Sequence, residues 1–368
     1  MPARPSPSSW SVVWPSKLRA ISATLGAVRW QGLVAWGTTC VLLGATQGCV
    51  RRLSCDMSDA RAGGTLSCPV SGWTDRGFEL EIPASWDGKA LLPLVVAFHG
   101  GGGNRLSAAR VTCPTGDTTE AGCFSQVARA AGFAVLRPDG TGSRPLRNVR
   151  TWNAGGGTNG FNCASGPACK SGVDDMRYFD DLLAEVAALV PIDDKRIHLT
   201  GLSNGGAISH RIACERAERV ASFVAVGGSN QHAGTGGACA GLVPMMQIHG
   251  TDDPCWSYAQ DARSCIEGDR AGVKIGAQES IDGWRARNGC AGEGTSVELL
   301  DRDPGDGTRI TRVTYPGCRA AVELLRVQGG GHTWPSGYQY LGEGTIGRVT
   351  RDVGSDLIVE FFRAHPKG

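Results

Sequence analysis

The chain has 368 residues, with 37 basic and 35 acidic side chains and a formal net charge of +2. That near balance, with no long basic run, argues against a nucleic-acid or anionic-membrane partner. A hydrophobic content of 41% excludes a disordered chain, and 54 glycines without a three-residue period exclude a collagen-like one.

Residues 1–48 read as a targeting segment that is removed. Arg4, Lys17, Arg19 and Arg29 precede an uncharged apolar run, Gly32 to Ala45. Such a run suits a signal-peptide core and is short for a membrane span, which needs about 20 residues. Small residues lead into Cys49, an imperfect lipid-attachment box because Thr46 stands where leucine is usual. Export is the expectation, by a lipid anchor at Cys49 or by simple secretion, against the bland alternative of an ordered N-terminal helix of the mature protein. Membrane contact is expected only through that anchor.

Fourteen cysteines point outside the cytosol. With Cys40 and Cys49 set aside, twelve remain, an even number. Short separations suggest Cys55–Cys68, Cys113–Cys123, Cys163–Cys169, Cys255–Cys265 and Cys290–Cys318, leaving Cys214–Cys239. No C-x-x-C pair and no H-E-x-x-H motif supports a metal site, so none is expected.

Downstream, short apolar runs alternate with helical patterns. Strands are predicted at Leu92–Phe98, Phe133–Leu136, Arg196–Thr200, Ser222–Val226, Val243–Ile248 and Val322–Val327. Uninterrupted apolar runs suit a parallel sheet covered on both faces. Helices are predicted at Asp174–Leu189, Asn204–Arg216, Ala277–Asn288 and Ser355–His365, the last with Ser355 as N-cap. A hairpin, Ser296–Asp301 with Thr308–Tyr315, interrupts the alternation. The fold class is therefore α/β: a doubly wound, mostly parallel sheet with helices on both faces, stabilised by disulfides. A cystine-tied segment, residues 49–75, precedes a catalytic-size domain over residues 76–368. The glycine-rich stretch Gly140–Gly172 is long enough for a functional loop.

The strand at Arg196–Thr200 runs into Gly201-Leu202-Ser203-Asn204-Gly205, and a helix follows. This is G-x-S-x-G in its meaningful context, a serine on a sharp strand-to-helix turn; the bland alternative is a helix-capping serine. The strand Leu92–Phe98 ends in His99 and four glycines, which can aim backbone N–H groups at an oxyanion. The dinucleotide-loop alternative fails because Arg105 and Leu106 occupy the places of its third glycine. His99 reads as a structural residue at the loop's base.

An acid and a base should follow the serine in chain order. His249-Gly250-Thr251-Asp252-Asp253-Pro254 places two carboxylates at a strand's C-terminal end, and chemistry alone does not separate Asp252 from Asp253. Of seven histidines, only His332 lies in a glycine-rich loop just after the final strand, which makes it the candidate base. The acidic Asp301–Asp306 stretch lacks calcium-loop spacing and reads as a solvated turn. Trp152, Trp256 and Trp334 are candidate pocket-lining aromatics.

These pieces, with Arg137-Pro138-Asp139-Gly140, Trp152-Asn153-Ala154-Gly155 and Val173-Asp174-Asp175, resemble the poly(3-hydroxybutyrate) depolymerase and feruloyl/acetylxylan esterase family of α/β hydrolases. The resemblance runs in family order over about residues 90–336. It implies a serine esterase without a cofactor, acting on feruloyl or acetyl esters of plant polysaccharide or on short hydroxybutyrate oligomers. It places the triad acid on Asp253, with Ser203 and His332, and an oxyanion hole on the backbone of Asn204, Gly100 and Gly101. One departure follows Trp152-Asn153-Ala154-Gly155, where the family often has adjacent cysteines: here a longer glycine-rich insertion separates Cys163 from Cys169. Depolymerases of that family that attack solid polymer usually carry an extra C-terminal binding domain. This chain ends 36 residues after His332 on one predicted helix, so a crystalline-polymer role is not expected. A peptidase of the same fold, or a silent carbohydrate-binding protein on this scaffold, are the rival functions.

Overall fold

The computed structural model describes residue 53 and residues 55–142, 148–239, 241–260 and 273–368. The leader, Cys40, Cys49 and Cys265 lie outside the described residues.

Twelve strands occur along the described chain: β1 (Thr65–Pro69), β2 (Gly77–Glu81), β3 (Leu92–Phe98), β4 (Ala134–Pro138), β5 (Thr141–Gly142), β6 (Arg150–Thr151), β7 (Ile192–Leu202), β8 (Ser222–Val226), β9 (Met245–Gly250), β10 (Thr295–Glu298), β11 (Arg309–Thr314) and β12 (Val322–Gln328). Ten of them form one sheet in the order β1-β2-β4-β3-β7-β8-β9-β12-β11-β10, while β5 and β6 pair separately. Strands β4, β3, β7, β8, β9 and β12 run parallel. An antiparallel pair closes each edge. This is the mostly parallel α/β sheet that the strand–helix alternation predicts, and it fits the α/β-hydrolase architecture that the resemblance implies.

Alternation along each buried strand divides the core. Leu94, Val96 and Phe98 face one apolar layer with Phe179, Leu182, Ile208, Ile212, Ile281 and Trp284. These side chains come from α4 (Asp175–Leu189), α5 (Asn204–Glu215) and α7 (Ala277–Asn288). Val95 and Ala97 face the other layer, with Phe124, Ala128, Ile358, Phe361 and Phe362. That layer is covered by α2 (Phe124–Ala130) and α9 (Ser355–Ala364). An uninterrupted apolar strand is therefore what two covered faces demand.

Several expectations need correction. The sheet does not start at residue 76: β1 pairs with β2, and the Cys55–Cys68 disulfide ties its leading segment, so the cystine-tied segment is an edge of the same sheet. Ser355 is not the N-cap of α9. Gly354 holds that place, and the Ser355 hydroxyl instead accepts from Trp334 Nε1 at 3.1 Å. The helices α1 (Arg105–Val111) and α2 were not expected; both are one to two turns long, too short for a clear period.

Five of the suggested disulfides are formed: Cys55–Cys68, Cys113–Cys123, Cys163–Cys169, Cys214–Cys239 and Cys290–Cys318. Cys255 is also disulfide-bonded. Among the described residues, no helix is long and apolar enough to cross a membrane.

Candidate active site

Strand order locates the site. From β3 the chain moves to β4 on one side, and from β7 it moves to β8 on the other. The carboxyl ends of β3 and β7 therefore flank a topological switch point, the usual place for a ligand crevice in an open sheet. Gly100, Gly101 and Ser203 all follow these two strand ends.

Ser203 sits between β7 and α5 at φ 61° and ψ −122°. A serine at positive φ is strained, and such strain persists only where the surroundings impose it. Here they do. The Ser203 N–H donates to Val226 O at 2.8 Å, and its own carbonyl accepts from Ala207 N–H at 3.0 Å. The turn closes so tightly that a Cβ on Gly205 would collide with the carbonyl oxygen of Phe98, and one on Gly228 with that of Ser203. Ser203 makes no capping bond from its side chain, so the bland cap reading fails.

Around the elbow, Gly100 lies close enough that a Cβ there would stand 3.5 Å from that of Ser203. Gly102 N–H is occupied by Arg150 O and Gly103 N–H by Gly100 O. Asn204 opens α5, where first-turn N–H groups have no intrahelical acceptor. Its buried side chain clamps the backbone of Trp152 through both amide atoms, at 2.7 and 3.1 Å. His99 is structural, as expected: Nε2 accepts from Gly140 N–H at 2.9 Å, and Nδ1 donates to Gly100 O at 2.8 Å. Burial pushes its pKa down to about 4, so the ring is neutral.

On the other side of the switch point, His332 Nδ1 lies 2.7 Å from Asp253 Oδ2. The geometry separates the two candidate acids. Asp253 is 1% exposed and faces His332, whereas Asp252 is exposed and accepts from the Thr251 hydroxyl. Asp253 Oδ1 accepts from the N–H groups of Cys255 and Trp256, both at 2.8 Å. Burial works against its charge, but the facing His332 and these hydrogen bonds outweigh it and hold the carboxyl below the usual range. His332 is pinned through its backbone: its N–H donates to Ile346 O, and its carbonyl accepts from Tyr340 Oη at 3.0 Å. Gly227, at the end of β8, packs against the His332 ring, so one Gly-Gly turn touches both Ser203 and His332.

Asp253, Cys255 and His332 also present three metal-type ligand atoms within 4.8 Å of one another. The trio does not fit a resident ion, because the Cys255 sulfur is held in a disulfide and offers no thiolate.

The three candidate tryptophans do not line a pocket. Trp152, Trp256 and Trp334 are 1%, 2% and 1% exposed. Each indole N–H is satisfied internally, by His99 O, Ile275 O and Ser355 Oγ. Their bulk fills the core, and a ring so enclosed presents no face to a sugar. The acidic turn is structural as well: Asp303 and Asp306 accept from nearby backbone N–H groups, and Asp301 pairs with Arg309.

Several residues carrying the site escaped sequence reasoning. Asp139, buried below the glycine loop, accepts from the Arg105 backbone and pairs with the Arg105 side chain. Asp175 pairs with Arg76 at 2.8 Å and accepts from Asn153 N–H. Both lie in motifs the resemblance singled out, and both act on the scaffold. The long loop walls a cavity of about 530 Å³ with Asn153, Thr158, Asn159, Arg211, His232 and Thr235; Ser203 and His332 are not part of that lining.

No protein-family model matches the chain. It is 25% identical over 262 residues to feruloyl esterase B of Piromyces equi, covering 69% of this chain and 42% of the relative. It is 31% identical over 163 residues to feruloyl esterase D of Neurospora crassa, covering 44% and 48%. The chain is thus similar in sequence to feruloyl esterases. A probable feruloyl esterase C of Aspergillus niger matches at 24% over 281 residues, covering 75% of this chain and 83% of that relative. The chain spans less than half the length of the first two relatives.

Proposed function

We propose that this protein is an exported serine esterase whose triad is Ser203, His332 and Asp253. The observation that carries the reading is Ser203 at positive φ on a strand-to-helix elbow, at the switch point of the sheet. The 2.7 Å contact between His332 and Asp253 supports it from the other side. Five disulfides, with Cys255 disulfide-bonded as well, support export.

In this reading His332 Nε2 takes the proton of Ser203 as its oxygen attacks the ester carbonyl. Asp253 orients the ring through Nδ1 and stabilises the imidazolium that forms. The tetrahedral oxyanion is met by backbone N–H groups of Asn204 and of Gly100 or Gly101, each worth roughly 3–4 kcal/mol in comparable sites. His332 then returns the proton to the leaving alcohol, and water hydrolyses the acyl-enzyme by the same steps in reverse order. The chemistry needs no cofactor. The names of the relatives point to feruloyl esters as substrate, with acetylated xylan and short hydroxybutyrate oligomers as the other members of the class.

A hydrolysis panel on the disulfide-intact chain tests this, with methyl ferulate, acetylated xylan and hydroxybutyrate oligomers as substrates. The expected result is turnover of one class that Ser203→Ala abolishes. Equal turnover by both proteins, or none on any ester, overturns the assignment.

A further inference from the structure

Behind the elbow runs a line of buried polar side chains that the proposed chemistry does not use. Gln247 and His249 alternate on β9 and so share one face of that strand, while His210 comes from α5 and Trp284 from α7. All four are at most 1% exposed. A run of polar groups this deep is costly unless each is satisfied.

One member sets the direction of the whole line. An indole nitrogen can only donate. Trp284 Nε1 lies 2.9 Å from His210 Nδ1, so that nitrogen is the acceptor and the ring hydrogen of His210 is on Nε2. His210 Nε2 then donates to Gln247 Oε1 at 3.0 Å. The Gln247 amide nitrogen has two hydrogens and two acceptors, Gly228 O at 3.0 Å and His249 Nδ1 at 3.1 Å. His249 is thereby left with its hydrogen on Nε2, which lies 2.7 Å from Trp256 O and 3.5 Å from Asp253 Oδ2. The line reaches the proposed triad at two points, through Gln247 and through His249. Gly228 packs on the Ser203 carbonyl, and Trp256 N–H holds Asp253 Oδ1.

We propose that the Trp284–His210–Gln247–His249 line is a one-way hydrogen-bond relay that positions the triad, with His249 as the residue holding the Asp253 carboxylate toward His332. The proposal rests on the esterase reading. The relay touches no substrate; it orients the Asp253 loop and the Gly228 turn from a single buried strand, so nucleophile and acid share one support. A shift of the acid by a fraction of an ångström weakens the hold on His332 during proton transfer, which appears in kcat and leaves substrate binding alone.

The test compares His249→Phe with His249→Gln, which retains an N–H near the Nε2 position. Rates are taken per active site, counted by fluorophosphonate labelling of Ser203. The expected result is a kcat for His249→Phe lowered about tenfold or more with KM within about twofold, and substantial rescue by His249→Gln. In parallel, nitrogen-15 NMR of the histidine rings in the wild-type chain should show both His210 and His249 with the proton on Nε2, a readout that needs no variant to fold. An unchanged kcat per labelled site in His249→Phe, or an Nδ1-protonated ring at either position, overturns the relay. Failure of the esterase reading looks different: the wild-type chain itself would then take no label and cleave no ester.

Discussion

The two halves of the site are held by different forces. The Ser203 half is steric: a serine is forced to positive φ because Gly205 and Gly228 let three backbone segments close on one turn. The Asp253–His332 half is electrostatic: a buried carboxylate is fixed by two N–H donors and the facing His332 ring, and His332 is held through its own backbone by Ile346 O and the Tyr340 hydroxyl. A steric device tolerates changes of charge and fails on added volume. A hydrogen-bonded device does the reverse. The halves should therefore fail under different substitutions.

The largest effect is expected from Asp253→Asn. It preserves volume and exchanges an acceptor for an amide, so His332 loses the partner that fixes its tautomer. In comparable triads such a change lowers kcat about 10⁴-fold with the fold intact. The measurement is ester turnover at constant Ser203 labelling; a loss below about tenfold would remove Asp253 from the chemistry. The same substitution should leave the elbow's backbone undisturbed.

Acid is expected to reach the elbow's supports first. His99, His198 and His210 are buried and neutral, with pKa values pushed down by burial to about 4, about 3 and about 3. The unfolded chain binds protons at these rings below about pH 6.5, while the folded chain does not until near pH 4 or 3. Stability therefore falls as pH drops through that window, by up to about 1.4 kcal/mol per unit for each ring. Asp253 behaves oppositely in order. Its folded value is depressed below an already acidic range, so its contribution is lost only at lower pH. Urea midpoints between pH 7 and pH 5 should fall steadily; a flat profile would contradict neutral burial of these rings.

Gly205→Ala probes the steric half directly. One methyl group aimed at the Phe98 carbonyl oxygen must displace either β3 or the start of α5. A stability loss of about 3 kcal/mol is expected, with Ser203 labelling slowed well beyond what the loss of folded protein explains. Thermal melts with a labelling time course would check both parts.

How much of this was legible in the sequence follows the same division. The elbow could be read because its requirements are local: small residues at fixed offsets after an apolar strand announce a tight turn. His332 and Asp253 were legible as types and as chain order, but Asp253 was separated from its neighbour Asp252 only by the resemblance and then by burial. The disulfides were readable because most close short loops. What stayed hidden is long-range. Trp152, Trp256 and Trp334 could not be told from pocket aromatics because burial is a property of packing. Gln247 and His249 did leave a signal, two polar residues with period two inside an otherwise apolar parallel strand, but their partners lie on α5 and α7, far away along the chain. Tyr340 left none at all.

Tyr340 supplies the finest test of the electrostatic half. Its hydroxyl donates to the carbonyl oxygen of His332, and to no atom of the ring. Burial raises its pKa, so the phenol stays protonated and remains a donor throughout the working range. Tyr340→Phe removes that one hydrogen bond while keeping the ring, which packs beside Trp334 and the α9 layer. A loss of about 1 kcal/mol in stability is expected, with kcat lowered by only a few-fold, because Ile346 still holds His332 through its N–H. The comparison of kcat at saturating ester with the thermal midpoint decides the matter. A fall in kcat of a hundredfold or more at an unchanged midpoint would place the Tyr340 hydroxyl in the reaction itself, and the acid–base half would then have a third working member.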